Sequence, residues 1–257
     1  MTKKLPVFAA IRHMLLLSFN NLGQAFRITW AWMVVFVVTI AMFIWIIAGV
    51  DIATPSASDL VSLAVVFVFL IAIALMATAS IAVAWHRYIL LDEGGNVAFN
   101  LRIDGLVWRY VGNALAIGIV GLVLIGVPIV VSMQVSELAI LLVFPLLLLL
   151  APILYRMSIK LPAVALERRD FRFSDGFDAS AGNYWPLVGL AAVYVLVAIV
   201  INIAVAIVTF VGLIFGPLAV VVQVLATALA EWFGIVFGIS LLTTLYGFFV
   251  EGRSFDD

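Results

Sequence analysis

Cysteine is absent from the 257 residues, so the chain has no disulfide framework, no thiolate metal ligand and no cysteine nucleophile. Histidine occurs only as His13 and His86, and neither has a second ligand at metal spacing such as His-x-x-x-His. Charge is scarce too: 11% of residues are charged, against about 25% in an ordinary soluble domain. A formal net charge of -1 is too balanced to point to a nucleic-acid partner. Together with 67% hydrophobic residues, this excludes a soluble globular domain, a disordered tail and a disulfide scaffold. The composition is that of an integral membrane protein.

What fills the chain instead is long apolar runs. A spanning helix needs about 20 mostly apolar residues. Six stretches reach or approach that length: 28–50, 60–85, 110–132, 138–155, 184–216 and 217–250. The last two form one block, which divides at Gly216-Pro217. As a single helix 217–250 would run about 51 Å, too long for about 30 Å of hydrocarbon. The sixth span is therefore read as 229–249, with 217–228 as a bent or interfacial lead-in. The expected fold is all-α: a polytopic membrane protein with six transmembrane helices in three hairpins and an N-terminal interfacial amphipathic helix. The expected organisation is 1–27 as that helix, 28–250 as the bundle and 251–257 as a short tail.

The cations order this layout. Lys3, Lys4, Arg12 and Arg27 precede the first span, and Arg87, Arg102 and Arg109 lie between the second and third. Arg156, Lys160, Arg168, Arg169 and Arg172 lie between the fourth and fifth, and Arg253 follows the sixth. These are all 13 Lys and Arg of the chain; the connections at Asp51 to Asp59, Glu137 and Gly216 hold none. By the positive-inside rule both termini are cytoplasmic. An odd number of spans would scatter these cations on both sides.

Lys3 and Lys4 before an apolar run imitate a signal peptide, but Arg12 and His13 interrupt the run and no small-residue cleavage site follows. Phe8, Ile11, Leu15, Phe19, Leu22 and Phe26 recur at helical steps with polar residues between them, the pattern of a helix lying on the membrane surface or packed under its own bundle. Trp30, Trp32, Trp85, Trp108 and Trp185 fall near the cytoplasmic interface and read as anchors. Each hairpin follows an amphipathic segment (18–27, 99–109 and 173–183), and Trp85-His86-Arg87-Tyr88, Tyr155-Arg156 and Tyr246-Gly247 rhyme at the ends of the even spans. This is a degenerate three-fold repeat.

Few residues carry chemistry. Ala226, Ala230, Gly234 and Gly238 form a small-residue ridge at four-residue intervals, fit for close packing within the bundle or for a homodimer seam. Glu231 stands beside it with Thr227 on nearly the same face; its depth decides between a wetted interfacial carboxylate at the outer surface and a buried, protonatable one. Asn202 and Asn113 are placed to hydrogen-bond between helices. Arg156 and Lys160, four apart past the fourth span, are topology determinants and candidate contacts for lipid headgroups. His86, Asp92 and Glu93 mix acid and base, but adjacent Asp92 and Glu93 diverge by about 100° on a helix. That cluster reads as an interface anchor with a helix stop at Gly94-Gly95.

The stretch 155–167, with Tyr155-Arg156, Pro162-Ala163 and Glu167, is followed by 173–187 with Gly182-Asn183-Tyr184. These positions resemble a group of bacterial six-span inner-membrane proteins that includes the YciC-like family and the membrane domain fused to some glycerophosphodiester phosphodiesterases. The resemblance implies the six-span fold and tilts the function toward membrane-lipid or envelope maintenance; with no phosphodiesterase domain attached, it carries no hydrolase activity. The expected function is a non-enzymatic inner-membrane protein, without cofactor, that binds lipids or a membrane-protein partner. The alternative is a transporter or channel for a small or amphipathic solute, with Glu231, Asn202 and the cytoplasmic cations along the path.

Overall fold

The computed structural model describes residues 3–50, 56–93, 100–135 and 140–255. Asp51, Gly94, Gly95, Phe99 and Glu137, which enter the expectations above, lie outside them. The described residues are helical, with no strand among them: α1 Val7–Asn20, α2 Leu22–Ala48, α3 Ala57–Leu91, α4 Gly105–Val135, α5 Ile140–Ser158, α6 Lys160–Ala165, α7 Phe173–Ala179, α8 Tyr184–Gly212 and α9 Ala219–Phe249. Among the described residues, five helical segments are long and apolar enough to cross a membrane: Leu22–Ala48, Ala57–Leu91, Gly105–Val135, Leu141–Ala165 and Tyr184–Phe249.

The fifth segment holds 66 residues, about 99 Å if straight. It is not straight. A short 3₁₀ stretch, Leu213–Leu218, separates α8 from α9, and inside it Gly216 takes φ 58° and ψ -124°, a backbone conformation that favours glycine. Val222 stands against Gly212, and the Tyr194 hydroxyl stands against Gly238. Residues progressively farther from Gly216 on either side thus meet, so α9 returns along α8. The break falls at the expected Gly216-Pro217, but 219–228 continues α9 as regular helix instead of forming a lead-in. One glycine in an unusual conformation reverses the chain, and nothing after it needs to bend.

At the cation-rich end α3 and α4 run past their expected limits, whereas α8 opens at the expected Tyr184 and α9 ends at the expected Phe249. α3 continues from the expected Trp85 to Leu91, and α4 begins at Gly105 instead of Tyr110. Burial explains the excess. Buried residues occupy 77–90 of α3, 106–117 of α4 and 236–248 of α9, together with Leu187, Leu190 and Ala191 of α8 and nearly all of α6. These ends pack on one another, so they stay helical beyond the apolar run that lipid alone would select. The opposite halves expose large apolar side chains such as Val61, Phe67, Leu122, Ile207 and Val220, the pattern expected where the solvent is hydrocarbon.

Residues 1–27 do not form one helix. The chain turns at Asn21, and Leu22 already opens α2. α1 lays Ala10, Ile11, Met14 and Ser18 against α8 and α9, while Phe8, Leu16 and Phe19 remain exposed. The expected apolar stripe is therefore split: Ile11 faces the protein, Phe8 and Phe19 face outward. Buried Asn183 ties the start of α1 down, accepting from Leu5 N–H at 2.8 Å and donating to Lys3 C=O at 3.0 Å. Trp32 and Trp85, read from the sequence as interface anchors, are buried in the core; Trp108 and Trp185 are exposed.

Candidate functional site

Arg156 lies in the last turn of α5 and Lys160 opens α6. α7 lies across them, brought close by buried Gly176, where a Cβ would overlap the Arg156 carbonyl oxygen. Phe173 and Phe177 stand one turn apart on α7, matching the one-turn spacing of the two cations. Lys160 Nζ sits 4.3 Å from the centre of the Phe173 ring. The Arg156 guanidinium lies 5.9 Å from the centres of both the Phe177 and Tyr184 rings. These separations are within the roughly 6 Å over which ring quadrupoles attract cations, worth about 0.5–2 kcal/mol depending on desolvation.

Neither cation has a carboxylate partner among the described residues; the ion pairs there belong to Arg87, Arg102 and Arg253. Arg156 donates no hydrogen bond to a described acceptor, and its Nε is buried without one. A guanidinium carries five N–H donors and no acceptor. A buried donor left unmade costs about 1–3 kcal/mol, and more when charged. The cations lie over the rings, and the Arg156 Nη and Lys160 Nζ donors make no hydrogen bond among the described residues. An anion with several acceptor oxygens, such as a phosphate, matches that donor set.

The neighbouring Arg87 contrasts with this. Its Nε and Nη2 grip Glu93 at 2.7 Å each, and its Nη1 reaches Glu167 and the Ala165 carbonyl at 3.0 Å each. Arg87 is fully committed to joining α3 to the end of α6. Glu167, at the acidic position of the family resemblance, has the left-handed φ of 61° that terminates α6.

The remaining sequence candidates do not converge. Glu231 and Thr227 are exposed, and neither makes a hydrogen bond or ion pair among the described residues. Trp232, next to Glu231, donates to Thr29 Oγ1 at 2.8 Å. That contact sets Glu231 level with the first turns of α2, two residues beyond Arg27, and so toward the cation-rich end instead of the opposite surface. Ala226 and Ala230 face an apolar groove shared with Ile201, Val205 and Val208 of α8. Gly238 meets Tyr194, while Gly234 has open space where a Cβ would stand. Asn202 and Asn113 each donate to a carbonyl four residues back on their own helix, Ala198 and Arg109.

Sequence reasoning missed the polar core under this end. His86 is fully buried, with Nδ1 2.8 Å from Thr243 Oγ1 and Nε2 3.3 Å from the Tyr110 hydroxyl. Thr243 gives its only hydroxyl proton to Ile239 C=O, so it accepts from His86 Nδ1–H; Nε2 then accepts from Tyr110. Ser18 donates to Ser240 at 2.9 Å nearby. Glu93 turns to Arg87, and Asp92 lines a separate cavity, so the three residues of the acid–base cluster point to three different places. The one available signal was Thr243-Thr244 inside an apolar helix. Comparison with protein-family models, with curated proteins and with solved structures finds no match for this chain.

Proposed function

We propose that this chain is a six-span protein of the bacterial cytoplasmic membrane, both termini cytoplasmic, that acts without catalysis by binding anionic lipid headgroups at Arg156 and Lys160. The reading rests on one observation: two adjacent cations are held over aromatic rings, with no described carboxylate and, for Arg156, no described acceptor. Near an anionic leaflet each such cation adds about 1 kcal/mol of attraction. The YciC-like resemblance bears on the same stretch, since Arg156 and Tyr184 are among its positions.

The layering supports a site at headgroup level. In α3 burial begins at Ala77, so 57–76 faces outward over about 30 Å, one hydrocarbon thickness. In α2 the stretch from Ile28 to Ala48 spans a similar length, starting beside the Thr29–Trp232 contact. Below that level the buried ends form a juxtamembrane layer, and Arg156 and Lys160 belong to it. Exposed Phe8, Phe19 and Phe26 then dip into the same leaflet.

The test is lipid analysis of the protein extracted in native lipid discs, for the native chain and for Arg156→Gln/Lys160→Gln. Anionic lipid is expected to be enriched several-fold over bulk membrane around the native chain and to fall to the bulk ratio around the variant. Equal retention by both overturns the proposal, and a stoichiometric co-purifying protein without lipid enrichment replaces it with a partner-binding role.

A further inference from the structure

A cavity of about 400 Å³ opens where α1, the ends of α3 and α9 and the C-terminal tail meet. None of its lining residues belongs to the Arg156–Lys160 site. Its size falls in the range of small-molecule sites, about 300–1,000 Å³. Its lining includes the polar His13, Asp92, Thr244, Arg253 and Ser254, and Phe248 and Phe255 form an apolar wall.

These groups retain free capacity. His13 Nδ1 is engaged by Thr244 Oγ1 at 3.0 Å, and its Nε2 has no partner among the described residues. Asp92 makes no ion pair there, because Arg87 is taken by its neighbour Glu93. Arg253 uses Nη2 on Leu90 C=O at 3.1 Å and Nε on Glu251 at 2.6 Å, leaving Nη1. The tail that carries Arg253 is held in place: its N–H donates to Gly247 C=O at 2.9 Å, and Lys3 Nζ donates to its C=O at 3.0 Å. Lys3 also lies 4.4 Å from the centre of the Phe248 ring, on which Phe255 stacks at 4.9 Å. The walls are therefore positioned before any ligand arrives.

Opposite charges line one small space, with an aromatic wall that also attracts cations. A simple anion would face Asp92, and a simple cation would face Arg253. We infer that the cavity binds a small zwitterion, its ammonium on Asp92 and its oxyanion on Arg253 Nη1 and His13 Nε2–H. The inference is independent of the headgroup site. Two sources share this chemistry: a free amino acid, and the phosphoethanolamine headgroup of a lipid.

The purified full chain in detergent, titrated calorimetrically with L-leucine, sn-glycero-3-phosphoethanolamine and sn-glycerol 3-phosphate, tests it. One or both zwitterions are expected to bind saturably, at least tenfold more tightly than glycerol 3-phosphate, and the preference between them identifies the source. Asp92→Asn is expected to weaken that binding at least tenfold without lowering the thermal midpoint, since Asp92 is exposed and Asn tolerates its left-handed φ of 55°. His13→Gln is expected to weaken it as well. No saturable binding by either zwitterion, equal binding of glycerol 3-phosphate, or native affinity in Asp92→Asn overturns the inference.

Discussion

The chain's two histidines are bonded by two adjacent residues of α9, Thr243 to His86 and Thr244 to His13, and they differ in what protonation would do. His13 is half-buried; burial, and then the nearby Arg253 charge, hold its pKa below the ordinary 6.5. A depressed histidine pKa means that the unfolded chain binds the extra proton first. The stability His13 contributes is therefore present above about pH 6.5 and lost as pH falls through that value toward the folded pKa. Amide hydrogen exchange of α1, corrected for intrinsic rate, is expected to speed up between pH 7.5 and 5.5, and His13→Asn is expected to flatten that dependence. Unchanged protection of α1 across this range would refute it. The sequence placed His86 at an interface because Arg87 and Tyr88 follow it. Hydropathy reports where charges begin, and it does not report that Thr243 and Tyr110 arrive to satisfy a buried ring.

Among the elements, α7 shows how seven residues position a site. Asp175 Oδ2 accepts the Arg172 N–H at 2.7 Å and starts the helix. Gly176 then permits contact with the end of α5, which sets Phe173 and Phe177 over the two cations. Gly176→Ala forces the helices apart, an overpacking that costs about 1–3 kcal/mol. A lower thermal midpoint together with loss of anionic-lipid enrichment is the expected result, measured on the protein in lipid discs; an unaltered midpoint would show that α7 shifts freely. The existence of α2 to α5, α8 and α9 was legible from apolar runs. Their lengths were not: α3 and α4 are prolonged by packing at the cation-rich end, and α9 begins at Ala219 instead of the expected 229. The small-residue ridge was legible as a ridge, yet it serves two surroundings: Ala226, Ala230 and Gly238 toward α8, and Gly234 toward open space.

Across the whole molecule, burial is concentrated at the end that carries the cations, while the opposite halves present apolar side chains. The cysteine-free chain allows the orientation to be measured directly. Ser58→Cys and Phe215→Cys, both exposed positions, are expected to react with an impermeant maleimide from the outside of intact cells. Ser174→Cys and Ser254→Cys are expected to react only after permeabilisation. Labelling of positions 58 and 174 from the same side would overturn the six-span arrangement.

The sequence by itself determined that this is a helical membrane protein, where its apolar segments lie, that the chain breaks at Gly216-Pro217, and which residues carry its charge. Those properties are local: they depend on hydropathy, on the backbone freedom of one glycine and on residue spacing. Only the tertiary structure decided that α1 packs on α8 and α9, that Trp32 and Trp85 belong to the core, and that His86 is satisfied from two other helices. It also decided that Arg156 and Lys160 meet three aromatic rings, and that Asp92 shares a cavity with His13 and Arg253. Each of these joins residues far apart in the chain, and periodicity along one helix holds no record of which face of another helix will meet it.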